Sequence, residues 1–482
     1  MKIIKTISIS ILLITFTSCE KYLDTVPDNR TEINTAEKIS ELLVSAYPSG
    51  NYSPFCEIMS DNVGDNYANS TVNPIYSKPY FWEDVLQLDQ DSPQFYWASC
   101  YSAIAAANQA LASIKNLGDG PNLNAQKGEA LVARAYSHFM LVSLFSKFYD
   151  PATAASDLGI PYVTEPENVV IKQYDRKTVA YVYEMIEKDL VEGLPLIKDE
   201  TYKVSAFHFN RNAANAFASR FYLYKKNYDK VIEHANKVAG EAGFSLNMRN
   251  WNTDYSTKSF TVIRTIYSQS TEKSNLLLAE TGSYWGRNWA GARYSLPTST
   301  GQSLYFGANP AGGDWAYSLF GGDRGVYLPK YNELFVRTSP SSNVGNGYLM
   351  IPLFTTEEVL FNRAEANLNK GNINAVLADL NTFLSLRIDN YNPTTHALTT
   401  QKNNAFYRTT NTNNALLNTI LTYKRIEFMH EGMRWFDLLR FKVPITHVNI
   451  SGSSQNLSAS DPRRVLQIPQ EAALSGLPLN PR

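Results

Sequence analysis

The segment Asn215–Val238, NAFASRFYLYKKNYDKVIEHANKV, decides the fold. Ala216, Ala218 and Ser219 are small residues on a first helical pattern, and they let a neighbouring helix approach closely. Asn227 marks a turn. Val231 and Ala235 then begin the packing face of a second helix. Glu358–Leu386 repeats this layout, with Ala364 and Ala366, a turn at Lys370-Gly371-Asn372, then Ala375, Leu377 and Leu380.

Both segments look like helix pairs of the tetratricopeptide (TPR) kind, with small residues at the crossing and a turn residue between the helices. Arg134–Phe148 with Val179–Leu194 is expected to form another pair across a long loop. Such a pair cannot bury its apolar face alone, so several should stack. Further helices are expected over Thr35–Ala46, over Gln94–Ile114 and over Gln126–Phe148, the last ended by Asp150-Pro151. The fold class is therefore mainly α, a scaffold of TPR-like helix pairs.

The character changes between about 246 and 352. Gly, Pro, Ser and Asn interrupt helical periodicity, and Tyr284, Trp285, Trp289, Tyr294, Tyr305, Phe306, Trp315, Tyr317 and Phe320 crowd one stretch. Irregular segments this long in a compact protein usually carry function. Residues 389 to 415 read as a second polar loop, rich in Asn and Thr. The chain thus divides into a helical region, 31–245, and a region with binding loops, 246–482, within one compact unit.

The first residues are a leader rather than part of the fold. Lys2 and Lys5 precede the short apolar run Ile7–Phe16, and Thr17-Ser18 precede Cys19. This is a secretory signal over residues 1–18, too short to span a membrane. Cysteine directly after small residues points to lipidation of Cys19, although Phe16 stands where Leu is commoner. The alternative is an ordinary cleavage that leaves a secreted protein. A polar tether, 19–30, follows, and lipid would be the anchor.

Composition excludes some classes. The formal net charge of −1 gives no overall basic surface for nucleic acid. The six His residues show no HExxH spacing for zinc. There is no Gly-rich phosphate loop after a strand and no GxSxG elbow. Asp61, Asn62, Asp65 and Asn66 could offer oxygens to calcium, but without the spacing of an EF-hand; capping and turn formation explain them better. No cofactor is expected. Cys56 and Cys100 are expected to be buried and unpaired, with a disulfide as the alternative in an exported protein.

Glu427 and Glu431 stand four apart in RIEFMHEGMRWFDLLR, Arg425–Arg440, and on one helical face they could serve as a glycosidase acid and base. Arg425, Arg434, Asp437 and Arg440 lie at ion-pairing distances in sequence. A carboxylate paired with Arg stays ionised, which suits a structural network and not a general acid. The aromatic stretch is the better binding candidate. Sugar rings pack their C–H faces on Trp and Tyr while their hydroxyls seek polar partners. Trp285, Trp289, Trp315 and Tyr305 are the expected contacts, with Arg287 and Asn288 beside them and Trp82 as an N-terminal platform. The competing role for each is to anchor a loop on the scaffold.

Several segments in order resemble the SusD/RagB family. They are Cys19-Glu20-Lys21-Tyr22-Leu23-Asp24 with Pro27; Ser60-Asp61-Asn62 with Asp65-Asn66-Tyr67; and Trp97, Tyr101, Ile104 and Asn108. Glu129-Ala130, Arg134–Leu144 and Gly159-Ile160-Pro161-Tyr162 follow, then Glu358–Leu360 with Arg363–Ala366, Arg425–Arg440, Ile468-Pro469 and Asn480-Pro481. Lys424-Arg425-Ile426 departs slightly from the usual pattern. The resemblance implies a surface lipoprotein of the outer membrane with a loop-rich, aromatic-rich binding subdomain. It implies capture of oligosaccharides, without cleavage, for a SusC-like TonB-dependent transporter. RagB-like members make peptide cargo the alternative. Glycoside hydrolysis and a purely protein-binding scaffold are weaker readings.

Overall fold

The computed structural model describes residues 33–66, 72–167, 172–240, 243–288 and 292–482. The leader, Cys19 and the 19–30 tether lie outside the described residues. The scaffold is built from α1 (Pro93–Asn116), α2 (Asn124–Phe145), α3 (Val179–Gly193), α4 (Arg211–Tyr224), α5 (Tyr228–Ala239), α6 (Thr356–Asn369), α7 (Ile373–Ser385), α8 (Thr412–Glu427) and α9 (Met433–Arg440). The pairs expected from sequence all form: α2 with α3, α4 with α5, and α6 with α7. They stack as well, α1 on α2 and α6 against both α4 and α5.

Local chemistry sets these helices. The Asn227 side chain accepts from the Lys230 amide (3.3 Å) and starts α5, as N-cap residues do. Gly371, at φ +77°, makes the tight turn between α6 and α7. Ala216, Ala218 and Ser219 are fully buried, and Asn362 of α6 donates to Ser219 Oγ at 3.1 Å across the crossing. Along α2, every residue from Gly128 to Phe145 is buried, which puts this helix at the centre of the stack.

Helices α2 and α3 approach closely at two glycines. A Cβ on Gly128 would stand 2.8 Å from the Gly193 carbonyl oxygen and 2.9 Å from Leu196 Cβ. Backbone cannot yield as a flexible side chain does. Gly128→Ala is therefore expected to cost about 1–3 kcal/mol by overpacking, read as a lower Tm than that of the parent.

Two expectations need correction. The segment 389–415 is not a loop: helices run over Pro393–His396 and Thr400–Phe406 before α8 starts at Thr412. The Asn and Thr residues that suggested a loop serve as caps. Asn392 accepts from the Thr394 amide (2.9 Å), Thr399 from Lys402 (3.2 Å) and Asn411 from Asn414 (3.0 Å).

Nor is Arg425–Arg440 one helix. Helix α8 ends at Glu427 and α9 begins at Met433, with His430 and Gly432 both at φ 73° between them. The buried Glu57 carboxylate replaces the missing helical acceptors, taking the amides of His430 (2.9 Å) and Gly432 (3.0 Å). A Cβ on Gly432 would meet Cys56 Cβ and Ser53 Cα at 2.9 Å each, so only glycine fits that turn. Glu427 and Glu431 thus share no helical face.

The region 246–352 holds short strands: β1 (Asn275–Gly282), β2 (Phe320–Gly322), β3 (Gly325–Tyr327), β4 (Glu333–Arg337) and β5 (Gly345–Thr355). The sheet order is β1-β5-β4, all antiparallel, with Ala279 opposite Ile351 and Phe335 opposite Gly347. β2 and β3 make a hairpin. β5 runs directly into α6, whose cap is Thr355, the last strand residue. That junction bolts the loop layer to the helical scaffold, and one hydrophobic core extends through both. Cys56 and Cys100 are buried and free.

Candidate functional site

Most of the expected ring contacts face the core. Trp285 is buried, and its indole N–H donates to the His430 carbonyl at 3.0 Å. The Tyr305 hydroxyl donates to the Ile426 carbonyl at 2.7 Å. Trp315 packs edge-on against Tyr423, 5.2 Å between centroids, and forms a backbone bridge with Ile388. Trp82 donates to the Met59 carbonyl at 3.0 Å and stacks on His447 at 4.4 Å. These four rings hold loops in place and present no open face to a ligand. A loop layer with few ladder hydrogen bonds gains most from large rings, whose polar tips reach spare carbonyls. Trp285 and Tyr305 find theirs in the break between α8 and α9.

A buried charge network lies beneath. Arg387 pairs with Glu427 through Nε (2.8 Å) and Nη2 (2.9 Å), and with Glu357 at 3.0 Å. Lys330 reaches Glu431 at 2.6 Å, and the Tyr267 hydroxyl donates to the same oxygen at 2.7 Å. Tyr317 donates its hydroxyl to Glu427. Burial alone would raise the Glu427 carboxyl, but the Arg387 charge and hydrogen bonds outweigh it and hold the group below the usual carboxylate range. Glu427 is therefore an ionised structural group with no proton to give a leaving group.

What the loop layer does expose is arginine set among rings. The Arg287 guanidinium lies 4.7 Å from the Tyr284 ring and 4.8 Å from that of Phe335, and Nε donates to Glu333 at 2.7 Å. Asn288 ends the short helix Trp285–Asn288, and Trp289 lies outside the described residues. A second group joins Phe260, Phe320 and Tyr327, with centroids 5.1 to 6.2 Å apart and Arg264 over Phe260 at 5.2 Å. All three rings are half-buried. Sequence reading named Phe320 but not Phe260, Tyr327 or Phe335. They come from different strands and a distant helix, and no spacing links them.

The acidic loop near Asp61 is engaged otherwise than in metal binding. Asp61 accepts two bonds from Arg434 at 2.8 Å, and Asp65 two from Arg293 at 2.7 and 2.8 Å. Among the described residues no group of three or more His, Cys, Asp or Glu is placed to hold a metal ion.

A cavity of about 280 Å³ opens along α1, away from the expected contacts, and Trp97, Tyr101, Glu165 and Tyr174 help line it. Trp97 and Tyr101 lie on the helix that the sequence predicts over Gln94–Ile114. Glu165 and Tyr174 sit in an irregular connection that carries no pattern.

The fold and the sequence can be set beside known proteins. A family model described as starch-binding and associating with the outer membrane matches residues 21–223, and the SusD family model matches residues 266–470. No curated protein matches. A SusD superfamily protein from Bacteroides thetaiotaomicron has a similar structure, with TM-score 0.70 and 22% identity, covering 93% of this chain and 100% of its own. A SusD-like carbohydrate-binding protein from Bacteroides vulgatus gives TM-score 0.64 at 16% identity, covering 92% and 96%. A laminarin-binding SusD-like protein gives 0.60 at 18%, covering 93% and 99%. At these identities the likeness establishes the fold, while the family models match both the helical and the loop-bearing regions. The chain belongs to the SusD/RagB family.

Proposed function

We propose that this protein is a cell-surface, lipid-anchored glycan-binding protein that captures oligosaccharides and hands them, uncleaved, to a SusC-like TonB-dependent transporter. The observation that carries the reading is the ring-and-arginine surface of the loop layer on a SusD-type scaffold. Arg287 between Tyr284 and Phe335 offers flat apolar area for a sugar face beside donors for its hydroxyls. Non-cleavage is supported by Glu427, which its arginine keeps ionised in the core. The leader and Cys19 support the anchor, and the family supports the partner.

Calorimetric titration of the soluble form starting at Glu20 against plant, host and microbial glycans tests the proposal. One glycan class should give saturable heat and no released product. Phe335→Ala and Arg287→Ala should each weaken that affinity about tenfold, near 1.4 kcal/mol. Silence from every glycan class would count against the reading.

A second reading, peptide cargo, has its own observation. β4 is the outer strand of the β1-β5-β4 sheet, and Leu334 and Val336 on it are 60% and 47% exposed. An edge strand can add an extended peptide by main-chain hydrogen bonding. Heat from peptides with silence from glycans would move the assignment there.

A further inference from the structure

The cavity along α1 is chemically lopsided. Trp97 and Tyr101 of α1 form one wall, their rings 5.0 Å apart, and Tyr174 stands among the other lining groups. Several of the wall's donors are spent internally, while the Lys172 ammonium, also in the lining, sits over a ring. Asn108 gives its amide protons to the carbonyls of Val163 (3.1 Å) and Glu165 (3.4 Å). Tyr101 gives its hydroxyl to Pro161 (3.0 Å), and Tyr174 gives its own to Glu167 (2.5 Å).

The acceptors are not spent. Among the described residues the Glu165 carboxylate receives no hydrogen bond, and Glu167 receives only that of Tyr174, on one oxygen. Burial, and then the neighbouring Glu167 and Glu165 charges, push the Tyr174 hydroxyl above its ordinary range. Lys172 marks what such a place attracts: its ammonium sits over the Tyr174 ring, 5.2 Å from the centroid.

A neutral sugar needs donors as well as acceptors, and this cavity offers it few of the first. An ammonium or guanidinium only donates, gains from the carboxylates, and gains again from the faces of Trp and Tyr. We infer that the α1 cavity is a second binding site, separate from the loop layer, for an organic cation: an amine or guanidinium on an aliphatic or aromatic body. The volume suits one such group. Trp97, Tyr101 and Tyr174 hold the body and the cation's flank, Glu165 and Glu167 receive its protons, and Lys172 competes for the same field. The inference does not rest on the glycan reading.

Ligand-observed saturation-transfer NMR and calorimetry on the mature chain in detergent test it, with phenethylamine, agmatine and neutral 2-phenylethanol as probes. N-acetyl-lysine amide separates a peptide side chain from a free amine as the source. The amines should bind saturably and 2-phenylethanol at least tenfold more weakly. The double variant E165Q/E167Q should lose at least tenfold in amine affinity with Tm unchanged, since both side chains are exposed and glutamine keeps an acceptor for Tyr174. K172Q should tighten amine binding several-fold. Equal binding of 2-phenylethanol, unchanged affinity in E165Q/E167Q, or no saturable amine binding up to about 10 mM would overturn the inference. Glycan titration of the same variants should be unaffected, so failure here leaves the loop-layer proposal standing.

Discussion

Glu427→Ala is expected to lose about 3–5 kcal/mol of stability while leaving the ligand specificity of the folded fraction intact. Arg387 is fully buried, and Glu427 supplies two of its contacts, at 2.8 and 2.9 Å. Removing the carboxylate leaves the buried guanidinium short of two of its bonds, with Glu357 as its remaining carboxylate partner among the described residues. Breaking one partner of a buried pair costs far more than the pair contributes net, because the remaining charge has no water to return to. Arg387→Ala should cost a similar amount by taking from Glu427 its arginine partner, while Glu357 keeps Arg249 and Ser274. The double variant R387A/E427A should cost less than the sum of the two, since it leaves fewer unpaired charges. Urea midpoints of the four proteins measure this. A Glu427→Ala protein as stable as the parent would remove the network from any account of the fold. An oligosaccharide-cleaving activity lost in Glu427→Gln would instead restore the hydrolase reading.

Stability is expected to fall steeply as pH drops from 6.5 towards 4. Three histidines are held neutral in the folded protein. Burial, joined by the Arg134 charge, lowers His138 to about 3. Burial and Lys330 lower His430 to about 3, and burial and Lys237 lower His234 to about 4. The bonding explains why charge is refused. His138 Nε2 accepts from the Val163 amide at 3.0 Å, and its Nδ1 lies 2.9 Å from the Arg134 carbonyl, so one nitrogen must stay bare. His430 Nε2 likewise accepts from the Leu328 amide at 3.2 Å. The unfolded chain takes up these protons near pH 6.5, the folded chain only near 3 to 4. In that window the unfolded state binds more protons, so stability is full above 6.5 and lost on the way down. At about 1.4 kcal/mol per pH unit and group, the loss by pH 4 is several kcal/mol. Asp91 opposes it: burial raises its carboxyl to about 6, which favours the folded state as pH falls between 6 and 3.8. Glu57 and Asp379, whose carboxyls burial also raises, act with Asp91, and His447, which burial lowers, acts with the three rings; between pH 6.5 and 5 the histidines set the sign. Urea midpoints at pH 7.5, 6 and 5 should fall in that order, and a flat or rising series would show that these rings are not held neutral.

The helical scaffold was legible because its causes are local. Small residues at 216, 218 and 219, the cap at Asn227 and the glycine at 371 all act within a turn or two of themselves. The same local chemistry misled at 389–415, where Asn and Thr were read as loop residues and are helix caps. The break inside Arg425–Arg440 was hidden for the opposite reason. Its stabiliser is Glu57, far away in sequence, and no pattern within the segment announces it.

The candidate site divides in the same way. Composition marked the aromatic stretch, and that stretch does form the loop layer. It could not tell which rings would be spent on the core. Trp285 and Tyr305 turn inward because carbonyls at His430 and Ile426 wait for their polar tips; Arg287 stays out because Glu333 and two rings hold it at the surface. The cavity along α1 joins a regular helix to an irregular connection, so its lining has no period to detect. By itself the sequence determined the family, the helix pairs and the absence of familiar catalytic motifs, since these rest on order and short-range spacing. Only the tertiary structure decided which aromatics are anchors, that Glu427 and Glu431 are separate structural groups, and where carboxylates stand beside an aromatic cavity. Those outcomes depend on partners far apart in the chain, and burial assigns them.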